Sequence, residues 1–162
     1  MRHRHLLRRA VSLNPNDARN WGALGLAEGQ AGSAKEAIEH LHQALRISPR
    51  DPFRHMFHNN LAIAHFVAKQ YAKAVECALV GVSEVPNYAF LHLQLAASYV
   101  GLGDIENAKT ALNTTLRLAP ELVKSRLSGE SPLRDPDHRK RFLTFVRIAA
   151  GLEDPSAEGA LR

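Results

Sequence analysis

Histidine is the residue type in this sequence most suited to chemistry, because nine histidines are spread along 162 residues. His55 and His58 are three positions apart, and with His65, and His92 further along, they form the best group of candidate ligands. Imidazole nitrogens are common zinc ligands, and His55 and His58 could share a helix face, so a metal site is one hypothesis. Partly buried histidines that pack between helices explain the same pattern. We predict no metal and no other cofactor.

Side chains that could act as nucleophiles do not form a recognisable catalytic set. Cys77, the single cysteine, lies in the helical run AKAVECALVGV, where a small buried side chain is expected. Serine, histidine and aspartate residues are present, but nothing orders them as a triad. The GLG at 101–103 follows a helix pattern and not a strand, unlike a phosphate-binding loop. We therefore predict that this chain has no catalytic residue and is not an enzyme.

The charge balance permits weak attraction to nucleic acid or acidic lipid without demonstrating either. Lysine and arginine outnumber aspartate and glutamate by 21 to 16, which gives a net charge of +5, but the excess is spread over both ends. No basic run is interleaved with aromatic residues, so specific nucleic-acid binding is not predicted. No stretch approaches the roughly 20 apolar residues of a membrane span. The lone cysteine, together with an opening that does not match a secretory signal, predicts a reducing, cytoplasmic location.

Four prolines reveal an internal repeat. Pro15, Pro49, Pro86 and Pro120 are separated by 34, 37 and 34 residues, and each ends a similar phrase: AVSLNP, ALRISP, GVSEVP and TLRLAP. A period near 34 residues is typical of an array of helical hairpins. The sequence therefore predicts an all-α solenoid.

Small residues recur at fixed distances before the last three prolines. A small side chain allows two helices to touch closely, where a larger one would push the hairpin apart. Between the two helices of a hairpin, Gly32 and Gly103 can take the positive φ that ends a helix, and Ser33 or Asp104 can cap the next one. The predicted small contact residues are Gly25, Ala37, Ala44, Ala62, Ala74, Gly81, Ala96, Ala108 and Thr115.

These phrases resemble the tetratricopeptide repeat family. WGALGLAE carries its Trp21, Leu24 and Gly25, and YAKAVECALVGVSEVP carries its tyrosine, alanine and closing proline at Tyr71, Ala74 and Pro86. The resemblance covers about residues 3–120, as one half-repeat and three full repeats. Departures from the family pattern are Glu28 and His65 in place of tyrosine, and His58 and His92 in place of tryptophan. The resemblance implies a solenoid of helix-turn-helix units, with these histidines facing neighbouring helices.

The repeat boundaries divide the chain into six segments. Residues 1–17 match the second helix of a repeat whose first helix is missing. We therefore expect the chain to be a piece of a longer protein. The alternative is that Met1 is the native start and that this single helix solvates the end of the array. Residues 18–51, 52–88 and 89–122 are the three full repeats, and the second contains a three-residue insertion between Pro49 and His58. Within this insertion Asp51 and Pro52 suit a helix start, with Asp51 as the cap and Pro52 in the first turn. Residues 123–152 form a short helix, a linker and a capping helix, and 153–162 a flexible tail.

The capping helix is predicted to start at Asp135 and Pro136. From there Phe142, Phe145, Val146, Ala149 and Leu152 fall on one face at helical spacing, with basic residues on the rest. We interpret this amphipathic helix as a cap that shields the last repeat. A membrane-surface role is the alternative for a basic amphipathic helix.

The order of several phrases also resembles the C-terminal region of bacterial class III adenylate or guanylate cyclases. These phrases are SPRDPFRHMF, LAIAHFVAKQYAKAVECA, LQLAASYVGLGDIENAKTAL and PLRDPDHRKRFL. In that family a catalytic domain and a TolB-like segment precede a tetratricopeptide array. Winged-helix transcription regulators with the same tail are an alternative parent. The resemblance places no cyclase chemistry in this chain, because it lacks the paired carboxylates that hold two metal ions.

A concave binding groove is the predicted functional site. In stacked hairpins the first helix of each repeat lines the concave side, and most residues there are apolar, which suits an amphipathic helix or an extended apolar segment. In chaperone-binding members of the family, a clamp of lysine and asparagine residues grips a peptide carboxylate, and that set of residues is largely missing here. We expect a protein or peptide partner; burial by the chain's own last helix, by upstream domains of the same parent or by a second copy in a homodimer is the alternative. The predicted groove residues are Arg19, Leu26, Met56, Asn59, Ile63, Phe66, Phe90, Leu93 and Ala97.

Overall fold

The structure, a computed structural model, describes residues 2–156, and within that range it consists of helices and their connections. Met1 and residues 157–162, which include most of the predicted tail, lie outside the described residues. The helices are α1 (Arg2–Leu13), α2 (Ala18–Gln30), α3 (Ala34–Ile47), α4 (Arg54–Val67), α5 (Tyr71–Glu84), α6 (Ala89–Leu102), α7 (Ile105–Leu118), α8 (Pro120–Leu127) and α9 (Pro136–Ala149).

Three helical hairpins stack in chain order. Helix α2 packs on α3, α4 on α5 and α6 on α7, and the hairpins join through contacts of α3 with α4 and of α5 with α6. Helix α1 packs on α2 at one end, and α9 packs on α6, α7 and α8 at the other. The predicted all-α solenoid is confirmed. The division into repeats at 18–51, 52–88 and 89–122 stays a prediction.

Small residues lie where neighbouring helices approach each other, within a hairpin at Gly25 and between two successive hairpins at Gly81. A Cβ added at Gly25 would be 2.6 Å from Cγ of Leu41 and 3.1 Å from the backbone oxygen of Ala37. A Cβ at Gly81 would be 2.7 Å from a methyl carbon of Leu91. Because carbon atoms do not approach this closely, any larger residue would force the helices apart. The predicted role of the small residues follows from this geometry.

The helix ends match the predicted capping residues in most places. Asp104 Oδ1 accepts a hydrogen bond from the amide of Asn107 at 3.2 Å, and Gly103 before it has φ +79°. Ser33 precedes α3 without a side-chain capping bond. Helix α4 begins at Arg54, later than the Asp51–Pro52 start that the sequence suggests, because Asp51 Oδ1 accepts from the amide of Phe53 in a turn before the helix.

The last helix belongs to the main hydrophobic core. Asp135 caps α9 by accepting from the amides of Asp137 and His138, both at 3.0 Å. The predicted apolar face of α9 is buried, except at Leu152. That prediction was wrong for Leu152, because the helix ends at Ala149, Gly151 turns the chain with φ +72°, and the leucine is exposed. Within residues 2–156 no helix combines the length and apolarity needed to cross a bilayer.

Candidate functional site: a divided concave surface

An open hollow lies between α2 and α4. Gly22 allows Phe57 to pack directly against α2, because a Cβ at that position would overlap the Phe57 ring. Met56 on α4 is 39 % exposed, and Phe53 just before that helix is also exposed. The hollow has a volume of about 250 Å³ and a mainly apolar surface. Its lining is Arg19, Gly22, Ala23, Leu26, Phe53, Met56, Phe57 and Asn60.

A cation stands at the rim of the open hollow. The guanidinium carbon of Arg19 lies 4.9 Å from the centre of the Phe53 ring, which is the geometry of a cation–π contact. Stacking on the ring holds the arginine side chain in one place while its N–H groups can reach a ligand. The rim therefore combines a flat apolar surface with a positive charge.

A second, covered cavity lies between α4 and α6. The chain's own C-terminal segment closes it: Leu133 is buried there, and the amide of Arg134 donates to the carbonyl oxygen of Gln30 at 2.8 Å. The volume of this cavity is only about 40 Å³. The lining is Asn59, Ile63, Phe66, Phe90, Leu93, Gln94, Arg126, Pro132, Leu133 and Phe142.

Phe66 is held beneath α9. Its ring meets the rings of Phe142 and Phe145 edge-on, with centres 5.6 and 5.7 Å apart. Arg141 lies over the same ring at 5.2 Å, and its Nη2 donates to the carbonyl oxygens of Phe66 and Val67 at 3.0 and 2.9 Å. Phe66 is 1 % exposed as a result. A partner could touch this side chain only after α9 had moved.

The structure separates the nine predicted groove residues into three groups. Three of them line the open hollow, namely Arg19, Leu26 and Met56. Five line the covered cavity, namely Asn59, Ile63, Phe66, Phe90 and Leu93, of which Phe90 is also 44 % exposed. Ala97 is fully buried in the core. The part of the groove between α2 and α4 is therefore open, whereas the part between α4 and α6 is covered by the chain itself. The binding role of these residues stays a prediction.

Sequence reasoning missed several lining residues. Phe53 lies in the inserted segment between Pro49 and His58, which the repeat period identified without assigning it a role. Phe57 and Asn60 also line the hollow, and the signal for Phe57 is Gly22, whose missing side chain leaves room for a ring.

Glu28 forms a buried ionic contact that joins three helices. Its carboxylate on α2 is fully buried; Nη2 of Arg8 on α1 lies 3.0 Å from Oε1, and Nδ1 of His40 on α3 lies 2.6 Å from Oε2. In the sequence, Glu28 stands out only because the tetratricopeptide repeat pattern has a tyrosine at this position. A buried carboxylate requires such partners, because an unpaired charge in the interior is costly.

His58 and His65 are buried between helices, and His65 and His92 hydrogen-bond to groups of the same chain. His65 Nδ1 lies 2.8 Å from Gln70 Oε1, and His92 Nε2 lies 2.7 Å from the carbonyl oxygen of Pro86. Burial is the main cause that lowers the pKa of both His58 and His65 below the ordinary value. Across residues 2–156, no three His, Cys, Asp or Glu side chains are close enough together to hold a metal ion.

Cys77 is a half-buried free thiol on α5. Burial, followed by the negative charge of Glu76, raises the pKa of its thiol above the ordinary value. The thiol form is therefore favoured at neutral pH, whereas a catalytic cysteine needs the thiolate. The side chain packs at the junction of the two hydrophobic core clusters.

Comparison with known proteins identifies the repeat. Two sequence models described as tetratricopeptide repeat match residues 4–52 and residues 91–122, together half of the chain. Tetratricopeptide repeat protein 17 of Rattus norvegicus is 33 % identical over 95 residues, which are 59 % of this chain and 8 % of the relative. Anaphase-promoting complex subunit 3 of Dictyostelium discoideum is 26 % identical over 138 residues, 83 % of this chain and 14 % of the relative. The chain thus spans a small part of these relatives.

Solved structures share the fold. A thermophilic TPR protein of Thermus thermophilus superposes with a TM-score of 0.65 at 22 % identity, covering 88 % of each chain. The crystal structure of MamA superposes with a TM-score of 0.64 at 18 % identity, covering 96 % of this chain and 89 % of that one. At these identities the likeness describes the path of the backbone.

Proposed function

Because the chain belongs to the tetratricopeptide repeat family, whose domains mediate protein–protein interaction, we propose that it is a non-catalytic module that binds a protein or peptide partner in its open hollow. The observation that carries this proposal is the exposed apolar surface of Phe53 and Met56, with the cation of Arg19 beside it. Aromatic and methionine side chains provide large, adaptable contact area. A partner segment with apolar side chains and a nearby acidic group fits this surface.

Replacing an exposed residue of the hollow tests the proposal. Partners are first isolated on the immobilised chain from a lysate of the source organism and identified by mass spectrometry. Met56→Glu puts a charge on the apolar surface, and we expect it to weaken the purified partner by about tenfold or more in calorimetry. Leu79→Glu on α5, also exposed but outside the hollow, is the matched control and is expected to bind normally. Equal affinity for the wild-type chain and both variants would refute this site.

The larger protein that we propose is a bacterial class III adenylate or guanylate cyclase-like protein, in which this region recruits a signalling partner or reports to upstream domains. The support is the ordered set of phrases that ends in PLRDPDHRKRFL. The alternative is a winged-helix transcription regulator. Sequencing upstream of residue 1 in the source genome tests this proposal: a cyclase catalytic domain would support the first parent, a winged helix would support the second, and neither would contradict both. The cytoplasmic location, supported by the lone Cys77, belongs to the same proposal.

Homo-oligomerisation is the second candidate function. Leu6 and Leu13 on α1 are both well exposed, which leaves apolar surface at one end of the array. Under this alternative, light scattering across protein concentration would give a dimer mass, and the double variant Leu6→Lys, Leu13→Lys would be a monomer. A monomer at all concentrations would exclude it.

A further inference from the structure

The segment that leads into α9 contacts the first hairpin, although α9 itself packs mainly on α6, α7 and α8. The backbone amide of Arg134 donates to the carbonyl oxygen of Gln30, the last residue of α2, at 2.8 Å. A Cβ added at Gly32, in the turn between α2 and α3, would lie 3.2 Å from the ring of His138 and 3.7 Å from Cβ of Asp135. A cap for the last hairpin needs only contacts with that hairpin, so these contacts indicate a second role for the segment.

Arg141, at the other end of the same segment, holds the end of α4. Its Nη2 donates to the carbonyl oxygens of Phe66 and Val67, the last two residues of that helix. The last four carbonyl groups of an α-helix have no partner within the helix, and this end of a helix carries a partial negative charge, which suits a guanidinium. One segment thus supplies hydrogen-bond donors to the C-terminal ends of both α2 and α4.

Helices α2 and α4 touch close to these hydrogen bonds. A Cβ added at Gly29 on α2 would lie 3.9 Å from Cβ of Ala64 on α4, an ordinary contact distance. Because small residues interlock little, this contact can act as a pivot between the two helices. The open hollow lies between the same helices but nearer their N-terminal ends, at Arg19 and Met56. At 1.5 Å per residue, each of these residues is about 16 Å along its helix from the carbonyl groups held at the other end.

We propose that residues 133–141 form a latch that fixes the angle between α2 and α4 and thereby sets the width of the open hollow. Phe142 and Phe145 anchor α9 in the core, so the latch is held by a rigid element. When the latch is released, α2 and α4 pivot at Gly29 and Ala64, and the ends that line the hollow move relative to each other. The regulatory part of this inference rests on the proposed function: because coupling is reciprocal, a partner that fits the latched hollow also holds the latch closed.

NMR of methionine methyl groups measures the state of the hollow directly, because the chain has two methionines, Met1 and Met56. The complete chain is labelled with ¹³C in these methyl groups, and the Met56 signal depends on the positions of the Phe53 and Phe57 rings, which line the same hollow. We expect Arg134→Pro, which removes the amide donor, to shift this signal by more than its linewidth or to broaden it through exchange. Arg134→Ala keeps the amide and is the matched control, with the signal of the wild-type chain.

A second pair of variants tests the hydrogen bonds at the end of α4. Arg141→Met removes the donors but keeps an unbranched side chain over the Phe66 ring, whereas Lys140→Met makes the same kind of change at an exposed neighbouring position. We expect the first variant to move the Met56 signal and the second to leave it in place. Melting curves show which variants are folded. Met56 signals at the wild-type position in the folded latch variants, or exchange of the wild-type Arg134 amide as fast as in an open chain, would overturn the latch.

Calorimetry with the isolated partner separates the latch from the proposed binding site. If the Met56 signal responds to Arg134→Pro but Met56→Glu leaves partner binding unchanged, the latch stands and the proposed site is wrong. If Met56→Glu abolishes partner binding but neither latch variant moves the Met56 signal, the latch is wrong and the proposed function stands.

Discussion

Arg8 is the residue that couples α1 to the rest of the array. Its guanidinium reaches the fully buried carboxylate of Glu28, whose other oxygen is held by His40. The apolar side chains of α1 contribute little further burial: Val11 is buried, but Leu6 and Leu13 are exposed. The position of the first helix therefore depends strongly on one ionic contact.

Replacing Arg8 should loosen α1. We expect Arg8→Ala to lower the free energy of unfolding by about 1 kcal/mol, the low end for a buried acceptor that loses a partner, because the arginine itself is largely exposed. Amide hydrogen exchange in α1 should also become faster. Arg9→Ala, at an exposed neighbouring position, is the control and should change neither quantity. Equal effects of the two substitutions would contradict the role assigned to Glu28.

Two buried histidines on α4 make stability depend on pH. Burial is the main cause that lowers the pKa of His58 and of His65 below 6.5. The negative charge of Glu84 partly opposes this shift at His58, and the positive charge of Lys73 adds to it at His65. Above pH 6.5 both imidazoles are mostly neutral in the folded and in the unfolded chain. Below it, the unfolded chain takes up protons that the folded chain resists, so the free energy of unfolding falls as pH drops from 6.5 through the lowered pKa values.

The melting temperature should therefore fall between about pH 7 and about pH 5. The double variant His58→Gln, His65→Gln should show a flatter dependence, because it removes both groups. His5→Gln, at an exposed position, should retain the wild-type slope. Melting curves recorded by circular dichroism at several pH values measure this, and an unchanged slope in the double variant would assign the effect to other groups.

At the scale of elements, α9 is both a cap and a cover. Its Phe145 is fully buried and meets the rings of Phe66 and Tyr71, from α4 and α5. Arg141 adds hydrogen bonds to two carbonyl oxygens at the end of α4. These contacts make α9 part of the same cooperative core as the last two hairpins. The alternative of a membrane-surface helix would require its apolar face to leave that core.

Truncating Phe145 should destabilise the whole array. We expect Phe145→Ala to cost about 3–5 kcal/mol in urea unfolding, as for a large side chain removed from a packed core. Phe90→Ala is the matched control, since the same atoms are removed from a side chain that is 44 % exposed, and its cost should be much smaller. Similar losses for both variants would mean that α9 is only loosely attached.

The elements could be predicted well because the repeat encodes them locally. The period between Pro49, Pro86 and Pro120 and the small residues near each proline define the hairpins without knowledge of distant contacts. The start of α4 and the exposure of Leu152 were harder to predict. One depends on a turn closed by Asp51, and the other on where a glycine with positive φ ends α9.

At the scale of the whole molecule, the first helices of the hairpins border an open hollow between α2 and α4 and a covered cavity between α4 and α6. Helical spacing identified most of the surface residues, but it could not tell which of them are covered. That depends on where the linker around Leu133 and the face of α9 come to lie, about 70 residues after Phe66 in the sequence. Long-range packing of this kind leaves no local signal, so Met56 and Phe66 looked equivalent in the sequence although one is accessible and the other is not.

Site-specific photocrosslinking tests the central claim, that the open hollow is where a protein partner binds. The chain is produced in its source cells with p-benzoylphenylalanine in place of Met56, and separately in place of Leu79, which is also exposed but lies outside the hollow. After irradiation, we expect a discrete adduct with the same partner protein from position 56 and none of that mass from position 79. Adducts from both positions alike, or from position 79 alone, would contradict it.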